Sequence, residues 1–162
     1  MVKGKVLIER YTDEGHPYRL ILSLTSALPQ RRASLVPMGR VHELEALAAA
    51  MRRHAERRGG PVNLAWVLLS GVNTDPEEAQ ALGRLFRGVR VRLSVIDVND
   101  PRGRFVRAGD KERSRFLSAL ADNGLGFVRR YSGGPDIHAA CGMLASVRRG
   151  GQVLTPADAE AP

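Results

Sequence analysis

The sequence predicts an α/β fold of about four mostly parallel strands alternating with helices. Three observations predict it. Short apolar runs recur along the chain, stretches of helical periodicity separate them, and polar or glycine-bearing turns mark the joints. Strands that alternate with helices pair in parallel through right-handed crossovers. The chain has 162 residues, enough for one domain with a real core and few for two.

Taken in order, VKGKVLIERYTDEG reads as a helix with no strand before it, as though the chain entered its fold partway through a strand–helix unit. YRLILSL, Tyr18 to Leu24, is the first predicted strand. RVHELEALAAAMRRHAERR follows as a helix with Val41, Leu44, Leu47, Ala48 and Met51 on one face. Arg52, Arg53, Arg57 and Arg58 gather at its carboxyl end, where the helix dipole favours cations. VNLAWVLL, Val62 to Leu69, is the second strand. DPEEAQALGRLF is a helix with Asp75 as N-cap, Pro76 in the first helical position and Glu77 and Glu78 in the first turn. VRVRLSVIDV, Val89 to Val98, is the third strand. DKERSRFLSALADNG is a helix that starts on Asp110 and stops at Gly124, and FVRRY, Phe127 to Tyr131, is the fourth strand. Parallel sheets bury both faces, a demand that LAWVLL and the apolar half of VRVRLSVIDV meet. Four strands are too few to close a barrel, so two sheet edges stay open. Residues 1–149 are expected to fold as one domain, and 150–162 to form a disordered tail.

Composition narrows the class. Hydrophobic residues make up 43% and charged residues 26%, a globular rather than a disordered balance. The longest apolar runs, such as LAWVLL, are far too short for a bilayer span, and no secretory leader is visible. The single cysteine, Cys141, cannot form an internal disulfide, which suits a reducing cytoplasm. The formal charge of +8 is nearly all arginine, with lysine only at Lys3, Lys5 and Lys111. Guanidinium forks match paired phosphate oxygens, so RNA is a natural partner; an Arg-rich genome would leave the same trace.

In parallel α/β folds, chemistry collects at the carboxyl ends of the strands. Those positions carry Ser23 and Thr25, then Ser70 and Asn73, then Asp97, Asn99 and Asp100, and finally Ser132 and Asp136. Each can hydrogen-bond a ligand, and each is also an ordinary turn former. No phosphate-binding glycine loop and no G-x-S-x-G nucleophile elbow occurs. His138 and Cys141 stand three apart, but two ligands make no metal site, so no metal is assigned. His16, His42 and His54 read as loop or helix-surface residues without a role. Asp136 can cap a short helix from Ile137 to Leu144, with Arg129 and Arg130 just upstream, a setting that favours the thiolate of Cys141. Beside Ala139, Ala140 and Met143 the same thiol also reads as a small buried hydrophobe.

GGPDIHAACGML, residues 133–144, resembles the carboxyl-terminal signature of the radical S-adenosylmethionine (SAM) methyltransferases that modify carbon-2 or carbon-8 of an adenine in 23S ribosomal RNA. LILSLTSALPQRRASLVPMGR resembles the family segment in which a strand ending in Ser-Leu-His leads to a Leu-Met/Val-Pro turn. WVLLSGVNTDPEEAQALGRLF resembles its Gly-Val-Asn-Asp/Thr strand and helix, and LSVIDVNDPRGRF its Leu-Ile-Pro-x-Asn-Pro strand end. The matches come in the family's order across residues 8–149.

The resemblance implies part of a radical-SAM, TIM-like barrel, with Cys141 as the methyl-carrying catalytic thiol. It implies SAM contacts from Ser23, Leu24, Thr25 and Asn99, and ribosomal RNA or tRNA as partner. Thr25 replaces the family's histidine, and Asp97 and Asp100 replace prolines. The family's resolving cysteine is missing, as is the Cys-x-x-x-Cys-x-x-Cys triplet that holds its four-iron four-sulfur (4Fe-4S) cluster. The chain is therefore expected to match the carboxyl-terminal half of the barrel and to be inactive alone, as a truncated portion. Its missing amino-terminal half, or a second copy, would be its partner. The rival expectation is a non-enzymatic remnant that grips RNA through its arginines or dimerises through its open sheet edges.

Overall fold

The computed structural model describes residues 4–36, 43–100 and 103–130. Its elements run α1 (Gly4–Asp13), β1 (Leu22–Ser23), α2 (Pro29–Leu35), α3 (Leu44–Arg58), β2 (Val62–Leu68), α4 (Pro76–Leu85), β3 (Val91–Asp97), α5 (Asp110–Asp122) and β4 (Gly126–Arg130). The four strands form one sheet in the order β1-β2-β3-β4, every neighbouring pair parallel. The register aligns Leu22 with Leu64, Leu64 with Leu93, and Leu93 with Phe127. Sequential order with right-handed crossovers puts every connecting helix on the same side of the sheet.

That winding corrects one expectation. Among the described residues the sheet is not fully buried on both faces: β2 alternates buried and half-buried residues, and β3 alternates buried with half-buried or exposed ones. Leu64, Trp66, Leu68, Leu93 and Val95 point at the helices and are fully buried, each contributing about 1.5–3 kcal/mol by leaving water. They meet Met51 of α3, Leu82 of α4 and Phe116 and Leu120 of α5 in one core. Trp66 and Phe116 lie with ring centroids 5.7 Å apart. On the opposite face Ser23, Ala65, Ser94 and Val128 share a row, with Ser23 and Val128 exposed. Among the described residues the helices cover one face of the sheet, as they do on the outer side of a barrel wall.

Local signals account for most of the elements. Asp75 takes the N-cap position of α4, and Pro76 opens that helix. The α5 helix begins at Asp110 but is capped by Gly109, so Asp110 is its first residue and not its cap. It ends at Asn123, where Gly124 supplies the left-handed turn (φ 70°). The first strand is much shorter than its apolar run, because it is the sheet edge: Tyr18 is 73% exposed and Ile21 42%. The α2 helix, seven residues long, was not anticipated; Pro29 sits in its first turn.

The α1 helix docks on α3 through charges that the sequence suggested would serve the helix dipole. Arg53 pairs with Glu9, and Arg57 Nη1 donates to Asp13 at 2.6 Å. His54 is not a surface residue. It is 8% exposed, and its Nδ1 lies 2.9 Å from Thr12 Oγ1. Because the Thr12 hydroxyl already donates to the Ile8 carbonyl at 2.7 Å, His54 must donate from Nδ1.

Candidate cofactor edge at the carboxyl ends of the strands

The β1 strand delivers Ser23 to the open face, exposed and opposite Ala65. Leu24 points the other way, fully buried in the core, while its N–H donates to the Ala65 carbonyl at 3.0 Å. Only its backbone can face a ligand. Thr25 then takes φ 62°, in the left-handed region, where a β-branched residue is strained.

Two side chains hold that turn. Asn73, fully buried, donates from Nδ2 to the Thr25 carbonyl and to the Val67 carbonyl, both at 2.7 Å. Its Oδ1 accepts the Leu69 N–H at 2.8 Å. Glu78, fully buried in α4, accepts the Ser26 hydroxyl on Oε1 and the Ala27 N–H on Oε2, both at 2.7 Å. Arg31 Nη1 donates to the same Oε1 at 2.9 Å and balances the buried charge.

The loop after β2 is held in the same way. Glu112 of α5 accepts the Ser70 hydroxyl and the Gly71 N–H, both at 2.7 Å, and the Thr74 hydroxyl. The Thr74 and Gly71 bonds, followed by that of Ser70, hold its carboxyl below the usual carboxylate range. Ser70 and Asn73 were candidates for ligand contacts; the fold spends both on its own loops.

At the ends of β3 and β4 a cluster of arginines surrounds one acid. Asp97 Oδ2 accepts from Arg107 Nη2 at 2.6 Å and from Arg129 Nη2 at 2.9 Å, and Arg113 Nη1 stands 3.8 Å from Oδ1. Burial, the largest single influence, pushes the Asp97 carboxyl up; the Arg129 and Arg107 hydrogen bonds and charges together outweigh it and hold the group low. Asp100 Oδ2 accepts the N–H groups of Arg104 at 3.0 Å and Phe105 at 3.2 Å, closing the loop toward α5. Neither aspartate is an open ligand group. Asn99, two residues past β3, is half-buried.

The structure thus brings Ser23, Leu24, Thr25 and Asn99 to one edge of one sheet, from β1 and β3 with β2 between them. Cys141, Ser132, Asp136 and His138 lie outside the described residues. Glu78 and Glu112 were missed by sequence reasoning. Each is the third residue of its helix, the position from which a capping-box carboxylate reaches back. That spacing, D-P-E-E before an apolar run, was the available signal.

Among the described residues no group of three or more His, Cys, Asp or Glu side chains can hold a metal ion. With one cysteine in the sequence, the chain does not fit a four-iron four-sulfur cluster, which is held by several cysteine thiolates. Among the described residues no helix is long and apolar enough to cross a membrane.

No protein-family model matches the chain. A probable RNA methyltransferase of Myxococcus xanthus is 44% identical over 96% of this chain, and one of Anaeromyxobacter is 49% identical over 88%. A probable dual-specificity RNA methyltransferase RlmN of Symbiobacterium thermophilum is 35% identical over 85%. The chain spans only 43%, 43% and 38% of those relatives' lengths. A radical SAM methyltransferase from Sphaerobacter thermophilus superposes with a TM-score of 0.81 at 35% identity, over 86% of this chain and 41% of that one. A domain of a pyruvate-formate lyase-activating enzyme from Bacteroides vulgatus superposes over 80% of this chain with a TM-score of 0.61 at 15% identity, a likeness of fold alone. In sequence and fold the chain is thus similar to the carboxyl-terminal part of radical SAM RNA methyltransferases.

Proposed function

We propose that these residues supply the SAM-contacting edge and the methyl-carrying thiol of an RNA methyltransferase. The observation that carries this reading is the placement of Ser23, Thr25 and Asn99 at the carboxyl ends of β1 and β3 in a chain 44% identical to a probable RNA methyltransferase. The Ser23 hydroxyl, exposed on the open face, is set to hydrogen-bond the polar parts of SAM. Asn99, just past the end of β3 and two strands away, carries an amide able both to donate and to accept hydrogen bonds.

Cys141 accepts the methyl group. With SAM bound, the Cys141 thiolate would take its methyl group, the new sulfur–carbon bond replacing the sulfonium–methyl bond with S-adenosylhomocysteine as the other product. An adenine of ribosomal RNA or tRNA is the final acceptor, which sets the work in the cytoplasm. The thiolates that would hold the cluster of the complete enzyme are not among these residues.

Equilibrium titration with S-adenosylhomocysteine tests the reading. Saturable binding is expected, weakened about tenfold in Ser23→Ala and in Asn99→Ala, the loss of one good hydrogen bond in each. Absence of saturable binding, or variants that bind like the parent, would overturn it.

A further inference from the structure

We infer that Glu78 and Asn73 are positioning residues that set the SAM-contacting turn from behind, an inference that rests on the function proposed above. The turn has no regular structure of its own to fix it. The β1 strand is two residues long, lies on the sheet edge, and ends at Ser23. Beyond it Thr25 sits at φ 62°, a conformation that must be imposed from outside. Two buried side chains impose it. Asn73 Nδ2 fixes the Thr25 carbonyl at 2.7 Å, and the two Glu78 oxygens fix the Ser26 hydroxyl and the Ala27 N–H at 2.7 Å each. All three bonds involve fully buried side chains, so water does not compete for them.

The same device occurs twice. Glu78 stands third in α4 and grips Ser26 and Ala27; Glu112 stands third in α5 and grips Ser70 and Gly71. In each case a serine hydroxyl and the next N–H share one carboxylate of a later helix. Each helix thereby fixes the loop after the strand that precedes its own. Only the first copy bonds the segment that directly follows Thr25; the second holds the loop after β2, which carries Asn73, through three groups, so Ser70→Ala, which removes one of them and leaves the Gly71 and Thr74 bonds in place, serves as the comparison. Ser26→Ala and Ser70→Ala each remove one hydroxyl from a clamp of three donors, and only the first of these hydroxyls stands beside Thr25.

The test uses the isotope-labelled chain and S-adenosylhomocysteine, with Ser26→Ala, Glu78→Gln and Ser70→Ala compared with the parent. Ser26→Ala deletes one clamp bond without a buried charge change, so it stays informative if Glu78→Gln fails to fold. Both Ser26→Ala and Glu78→Gln are expected to shift the Thr25 backbone resonances away from left-handed values and to weaken binding about five- to tenfold. Ser26→Thr, which restores the hydroxyl, is expected to recover most of the affinity. Ser70→Ala is expected to lose similar thermal stability while leaving Thr25 and the affinity unchanged. Parent-like affinity in Ser26→Ala and Glu78→Gln, or an equal loss in Ser70→Ala, would overturn the inference. A parent chain that does not bind at all would defeat the proposed function, and with it the link from clamp to cofactor.

Discussion

Replacing Asp97 by asparagine keeps the shape of the side chain and removes the one charge on which Arg107 and Arg129 converge. The Asp97 side chain is 7% exposed, so the lost interaction is not a surface pair. Breaking a fully buried pair costs roughly 3–5 kcal/mol because the orphaned partner stays dry. Here the orphans escape in part: the Arg107 and Arg129 side chains are 51% and 47% exposed and can turn to water. Arg113, at 12%, cannot turn as freely, although it keeps its pair with Asp110. The expected loss is therefore about 2 kcal/mol, or roughly 4–8 °C in Tm for a domain of this size. The pH dependence has a defined sign. The folded-state carboxyl of Asp97 is held low, so its contribution is complete above the ordinary carboxylate value of about 4 and disappears as pH falls through the depressed folded value. Thermal unfolding followed by circular dichroism at pH 7 and again below pH 3 checks this. The gap between parent and Asp97→Asn should be wide at pH 7 and narrow in acid. Equal midpoints at pH 7 would show that the arginines do not depend on Asp97, and the electrostatic account of this strand end would fail.

Two further outcomes follow from buried or strained groups. Thr25→Gly relieves the strain of φ 62° and should raise stability by about 0.5–1 kcal/mol in chemical denaturation; a loss would mean that the side chain itself is needed in the turn. Burial, and then the nearby Arg58 charge, push the His54 pKa down, so the folded state resists the proton that the unfolded chain accepts. Stability tied to His54 is whole above about pH 6.5 and falls as pH drops through the lowered folded value. His54→Gln should flatten this part of the denaturation profile between pH 7 and 5, and an unchanged slope would contradict the buried docking of α1 on α3.

What the sequence showed and what it hid divide along physical lines. The β2 and β3 strands and the α4 and α5 helices were legible because their apolar periodicity, Pro76 and Gly124 are local signals. Strand β1 was overextended because an apolar run does not reveal that it will lie on a sheet edge. Helix α2 was invisible: PQRRASL carries no helical apolar stripe, and the loop before it is fixed by Glu78, about fifty residues away. The covering of one sheet face only follows from strand order, which periodicity does not encode. At the site, the polar strand ends were legible as a set but not individually. Ser70, Asn73 and Asp97 are consumed by Glu112, by the Thr25 carbonyl and by Arg129, partners that the tertiary fold brings near, whereas Asp100 is taken by N–H groups four and five residues on. The same blindness put His54 on the surface, since Thr12 lies 42 residues before it.

The most direct measurement is a map of backbone chemical-shift changes in the labelled chain as S-adenosylhomocysteine is added. The account predicts that the largest changes fall on Ser23, Leu24, Thr25 and Asn99, at the carboxyl ends of β1 and β3. Changes centred instead on the amino ends of the strands, around Val62 and Val91, would contradict it.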